Sequence, residues 1–85
     1  MDPCYNYHEP VLGQLARHGL RPAATTAPAF VREALADLYL YEIRRLRIRL
    51  RSGAFPKQEY ASRVETLRSA YPLLSLPVEL WTVET

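Results

Sequence analysis

Residues 41–53 read YEIRRLRIRLRSG, from Tyr41 to Gly53, with five arginines in the eight positions 44–51 set among Ile43, Leu46, Ile48 and Leu50. From Leu46 to Arg51 apolar and basic residues alternate strictly, which is the pattern of a strand with one wet face. Over a longer range the helical pattern wins. Ala36, Tyr39, Ile43, Leu46 and Leu50 follow 3-4-3-4 spacing, whereas the alternation spans only six residues. Leucine and arginine are also good helix formers, and no proline or glycine interrupts the chain between Pro28 and Ser52. The spacing predicts one helix of about 24 residues, on the order of 36 Å long.

At about 100° per residue, the five heptad-spaced residues, joined by Leu35, form one apolar stripe of this helix. Phe30, Ala34, Tyr41 and Ile48 form a second stripe nearly opposite. The arginines fall between the stripes in two rows, Arg44, Arg47 and Arg51 on one side and Arg45 and Arg49 on the other. That layout predicts a central helix buried on two sides, its arginine stems covering apolar edges while the guanidinium groups reach water.

Outward from the long helix, Pro3, Pro10, Pro22, Pro28, Pro56, Pro72 and Pro77 mark where the hydrophobic pattern stops or restarts. Val11, Leu12, Leu15 and Ala16 predict a short helix opened by Pro10 and stopped by Gly19. Thr25 or Thr26 is a candidate cap for the helix that Pro28 opens. After Ser52-Gly53-Ala54-Phe55 turns the chain, Tyr60, Val64, Leu67 and Tyr71 predict a further helix ending at Pro72, and hence an antiparallel hairpin. In the tail Leu74, Leu76, Val78 and Leu80 alternate ahead of Trp81, which suits an extended apolar strap lying in a groove. The expected fold is thus a single all-α domain of 85 residues: an N-terminal arm and short helix over 1–29, a helical hairpin over 30–72 and a strap over 73–85.

The 48% hydrophobic and 24% charged content supplies enough apolar area for a small core and excludes a disordered chain. Net charge is only +2, too little to imply an acidic partner by itself, although Glu42 to Arg51 holds one acid and five bases, a local +4. One cysteine, Cys4, excludes an internal disulfide and suits a reducing compartment. The start, MDPCYNYHEP, lacks a basic segment followed by an apolar run, and no stretch approaches the roughly 20 apolar residues of a membrane span, so a cytoplasmic location is expected. The bias toward arginine, alanine, leucine and proline looks like GC-rich bacterial coding.

Gly53-Ala54-Phe55-Pro56-Lys57-Gln58-Glu59-Tyr60, continued by Arg63 and Leu67, resembles the SHOCT-type short helical hairpin of bacterial proteins, with its glycine turn, Glu-aromatic pair and basic-leucine continuation. The resemblance covers residues of about 46–68, and Leu50, ahead of the turn, sits one position out of the usual register. It implies a small oligomerisation or tethering unit without activity of its own. Leu15 to Pro22 looks like the first helix and turn of some winged-helix regulators, but a recognition helix and wing do not follow.

Little points to catalysis. Cys4 and His8 make a C-x3-H pair to which His18 would be a third ligand, yet a zinc site needs four ligands in tight pairs. Gly13, Gly19 and Gly53 are too dispersed for a phosphate loop. Glu33, Asp37 and Glu42 are expected to be solvated or paired with arginine. No cofactor, metal or catalytic residue is assigned. The expected role is a non-catalytic protein-protein interaction or oligomerisation module whose partner is itself, as a homodimer, or a larger complex, with no membrane. Its expected interaction surface is Tyr41, Ile48, Leu76, Val78, Leu80 and Trp81, the strap docking within the chain or across the dimer. The alternative is a nucleic-acid-binding or regulatory protein, with Arg44, Arg45, Arg47, Arg49 and Arg51 as phosphate contacts.

Overall fold

In the computed structural model, which describes residues 4–83, three α-helices follow in order: α1 over Glu9–Arg17, α2 over Pro28–Arg51 and α3 over Tyr60–Ser69. The described residues contain no strand, so the protein is all-α, and no helix among them is long and apolar enough to cross a membrane. Pro3, the first of the proline joints, lies outside the described residues.

Helix boundaries follow from local chemistry. Pro10 sits in the first turn of α1, where its missing N–H would have had no helical partner anyway, and Pro28 does the same for α2. At the other end Gly19 (φ 76°) and Gly53 (φ 79°) take the left-handed conformation. Each closes a paired hydrogen-bond stop: Leu20 N donates to Leu15 O and Gly19 N to Ala16 O, while Ala54 N donates to Arg49 O and Gly53 N to Leu50 O. The threonine cap is not used. Ala27 is the residue before α2, and Thr26 instead accepts from Ala23 N at 3.0 Å within its own turn.

The main core lies at one end of the molecule. Val11 and Leu15 of α1, Val31 and Leu35 of α2, Tyr71 and Leu73 after α3, Tyr7 of the arm and Trp81 of the tail form one buried cluster. Leu20 packs against the same cluster, so the turn that stops α1 is also fastened by an apolar contact. The arm and the tail meet beside it: Tyr7 and Thr82 form an antiparallel bridge, His8 N donates to Trp81 O and Val83 N to Asn6 O.

Contacts then descend α2 as the chain returns. Phe55 lies between Arg49 and Arg63, Tyr71 reaches Glu42 and Tyr39, and Arg32 Nη2 donates to Leu74 O. Because α3 covers only one side of the distal half of α2, the molecule is a rod of 53 × 17 × 17 Å. Its radius of gyration, 15.7 Å, exceeds the roughly 12 Å of a compact chain this long.

Two expectations need correction. The tail is not an extended strap: Pro72–Ser75 and Val78–Leu80 are 3-10 turns, each set up by a proline, and Trp81 Nε1 donates back to Leu76 O at 3.0 Å. Nor is α2 buried on two sides. Val31, Leu35 and Leu46 are its buried residues, while Phe30 (69% exposed), Tyr41 (58%) and Ile48 (64%) of the second stripe remain uncovered. The reason is that α1, α3 and the tail all pack on the same side, which rotates the buried stripe toward Val31 and leaves the opposite side to solvent.

Candidate interaction surface

The outer face of α2 is built from the residues that helical spacing places away from the core. Phe30, Tyr41 and Ile48 recur at i, i+11 and i+18 and are exposed, Ala34 between them is half-buried, and Leu40 (48% exposed) lies beside them. Large apolar side chains scattered singly are ordinary on a surface, whereas these lie on one face of one helix. Arg45 stacks its guanidinium 5.9 Å from the centre of the Tyr41 ring, covering one edge of the row.

The arginines separate as helical geometry requires. All five of Arg44, Arg45, Arg47, Arg49 and Arg51 are exposed. Arg45 and Arg49 border an open groove of about 460 Å³ between α2 and α3, whose other walls include His18, Glu42 and Arg63, while Arg44, Arg47 and Arg51 do not line it. Arg63 is held in place, with Glu59 at 3.1 Å and the Phe55 ring centre at 4.3 Å. None of these five arginines is in an ion pair among the described residues, whose ion pairs are Arg63–Glu59 and Arg68–Glu65 on one side of the turn.

The tail residues fare differently from expectation. Trp81 is wholly buried in the chain's own core, and Leu76 and Val78 are half-buried against the same cluster. The tail therefore docks in cis, and of its expected contacts Leu80 (57% exposed) is the one facing outward. Trp81 is not available to a partner because it completes the core that α1 and α2 alone leave open.

Residues with potential chemistry are occupied structurally. His18 stacks on Tyr71 with ring centroids 4.1 Å apart, and its Nε2 lies 2.7 Å from Ala70 O. A carbonyl oxygen can only accept, so Nε2 carries the proton. Cys4 and His8 are exposed, and among the described residues no group of three or more His, Cys, Asp or Glu is placed to hold a metal ion. Glu42, expected to be solvated or paired with arginine, instead accepts a hydrogen bond from Tyr71 Oη at 2.8 Å. That bond joins residues 29 apart in the chain, so no local pattern announces it.

The Tyr71 phenol is pushed up to about 12 from its ordinary value of 10.0, first by burial and then by its hydrogen bond to the Glu42 carboxylate and that group's negative charge. Below pH 10 the phenol is neutral in both folded and unfolded chains, and its contribution is fully present. Between about 10 and about 12 the unfolded chain ionises first, so stability falls with pH, by up to about 1.4 kcal/mol per pH unit. Burial also raises Tyr7, which adds a loss of the same sign. Replacing Tyr71→Phe should cost about 1 kcal/mol at pH 7, where a hydrogen bond is lost, yet flatten the decline above pH 10. Urea midpoints of both proteins at pH 7, 9 and 11 check this; parallel declines would exclude Tyr71 as the group responsible.

No protein-family model, curated protein or solved structure matches this chain.

Proposed function

We propose that this chain is a non-catalytic protein-protein interaction module whose docking surface is the outer face of α2. The observation that carries this is the exposed row Phe30, Tyr41 and Ile48 with Leu40 at its side, on a molecule whose Leu73, Leu74, Leu76 and Trp81 are already used in its own core. The engagement of His18 and Glu42 in structural contacts with Ala70 and Tyr71 favours a non-catalytic role as well. The resemblance of residues of about 46–68 to SHOCT-type hairpins points the same way, toward a unit that tethers or assembles.

A photoreactive benzophenone amino acid at Ile48, on the face, and at Ser62, on α3, tests the proposal in cells that make the protein. The expected result is a protein adduct at 48 and none at 62. Absence of any protein adduct at 48 would rule the docking role out.

Nucleic-acid binding is the second candidate, favoured by Arg44, Arg45, Arg47, Arg49 and Arg51, exposed arginines of the second half of α2 that lack an acidic partner among the described residues. Their division between the groove and the outer face disfavours a single track along a phosphate backbone. Phosphate contacts would make affinity fall steeply with salt, so heparin and duplex DNA at low salt decide the matter. For the interaction module, retention on either is expected to be weak and lost by about 150 mM salt.

A further inference from the structure

We propose that the occupant of the α2 outer face is a second copy of this chain, laid antiparallel across it; this rests on the preceding proposal that the face docks protein. Phe30, Ala34, Asp37, Tyr41, Arg44 and Ile48 lie at 4-3-4-3-4 spacing, the register of a two-helix seam. All are exposed except Ala34, which is half-buried. Glu33, Leu40 and Arg47, also exposed, recur every seventh residue along one flank of that seam.

The charges on this face identify the partner and its direction. Its acids, Glu33 and Asp37, belong to the first half of α2, and its arginines, Arg44, Arg47 and Arg51 with Arg45 at the other edge, to the second. A parallel copy would set Asp37 against Asp37 and Arg44 against Arg44, which is repulsive at both levels. An antiparallel copy related by a two-fold axis near residues 39–40 does the opposite. Phe30 then packs on the partner's Ile48, and Asp37 comes level with the partner's Tyr41. The partner's Arg44 lies one turn further along, about 4.5 Å by helical rise. On the flank Glu33 approaches the partner's Arg47, and Leu40 approaches its own symmetry mate. The same face therefore complements itself, as a two-fold interface must.

A second observation fits the same arrangement. Beside Phe30 a shallow hollow of about 180 Å³ is lined by Leu20, Arg21, Pro22, Thr26, Val31 and Ala34. Phe30 forms its rim. In the antiparallel register this hollow receives the partner's Ile48, a knob that is 64% exposed in the single chain. The seam is one helix long, so the pair belongs with small, reversible interfaces, with dissociation in the micromolar range.

Single-cysteine chains in a Cys4→Ser background test both partner and direction. Phe30→Cys protein and Ile48→Cys protein are each treated alone, and then as an equal mixture, with a short bis-maleimide at about 50 µM protein. The expected result is a cross-linked dimer in the mixture and little in either protein alone, since the two copies of residue 48 lie about 27 Å apart in this register. Strong cross-linking of Ile48→Cys alone would overturn the antiparallel direction. A chain that sediments as a monomer at 100 µM and fails to cross-link in the mixture would overturn self-association; a heterologous adduct at Ile48 in cells would then leave the docking role standing, and no adduct would remove both. Charge reversal gives an independent readout: Asp37→Arg or Arg44→Asp should each weaken dimerisation at least about tenfold, and the two together in one chain should restore it to within about threefold. Failure of the double variant to recover, with helicity intact by circular dichroism, would overturn the proposed pairing of residues 37 and 44.

Discussion

A chain ended after Pro72 will not fold. It loses Leu73 and Trp81 from the buried cluster, together with Leu74, Leu76 and Val78 that pack against it. It also loses the backbone bonds from His8 N to Trp81 O and from Val83 N to Asn6 O, so the arm that carries Tyr7 is left with its bonds to the connector, from Tyr5 N to Ala24 O and from Tyr7 Oη to Thr26 O. Truncating one buried large side chain costs about 2–5 kcal/mol, and this cut removes two such residues and three partial ones. Against a total stability of roughly 4–13 kcal/mol for a domain of this length, the loss is decisive. Circular dichroism should show little cooperative melting, and the exposed face of α1 and α2 should promote aggregation. In the intact protein Trp81 should emit at short wavelength and resist quenching by iodide, as a wholly buried indole does. A truncated chain that melts cooperatively would mean that the tail merely rests on a core complete without it.

Replacing Leu15→Ala should cost about 2–5 kcal/mol and release α1 from the body. Leu15 has no exposed surface and packs in the cluster with Val31, Leu35 and Trp81. Its carbonyl accepts the bond from Leu20 N that closes the end of α1. A helix of nine residues is marginal by itself in water, so α1 persists through this contact and that of Val11 rather than through its own propensity. Urea unfolding gives the cost directly, with Ile48→Ala at low protein concentration as a surface control expected to change monomer stability by less than about 0.5 kcal/mol. A cost below about 1 kcal/mol for Leu15→Ala would show that α1 is not fastened to the core.

Helix identity and limits were legible because they are local. Pro10 and Gly19, then Pro28 and Gly53, bracket α1 and α2 with residues whose backbone preferences act within one turn. The burial of the heptad-spaced stripe was legible, for Leu35 and Leu46 are buried and Ala36, Tyr39, Ile43 and Leu50 half-buried. That the second stripe stays uncovered was not, because only the placement of α1, α3 and the tail on one side decides it. Val31 escaped notice for the same reason, since its burial depends on Val11 and Leu15 arriving from a separate helix.

The tail misled through a real pattern. Leu74, Leu76, Val78 and Leu80 do alternate, but the 3-10 turns Pro72–Ser75, opened by Pro72, and Val78–Leu80, preceded by Pro77, break the pleat this alternation implies. Of the surface residues, Tyr41 and Ile48 were recognisable as a stripe separate from the core. The seam that contains them was obscured by its polar members, Asp37 and Arg44, which a search for apolar residues alone discards. The contacts of His18 with Ala70 and of Glu42 with Tyr71 bridge 52 and 29 positions, and pairings that distant leave no local mark.

The bridge between Tyr7 and Thr82 gives the domain a nearly closed circuit, with the arm and tail side by side at one pole and the Gly53 turn at the other, a helix length of about 36 Å away. Joining the two ends by a short linker and opening the chain at Gly53 would keep every element in its present neighbourhood, so the fold is suited to circular permutation. Cargo fused at the arm or the tail would leave from the same pole, well clear of the tip formed by α2 and α3. If two copies pair antiparallel, cargo on each would leave from opposite poles, and the domain would act as a spacer that holds two attachments apart rather than as a clamp that brings them together.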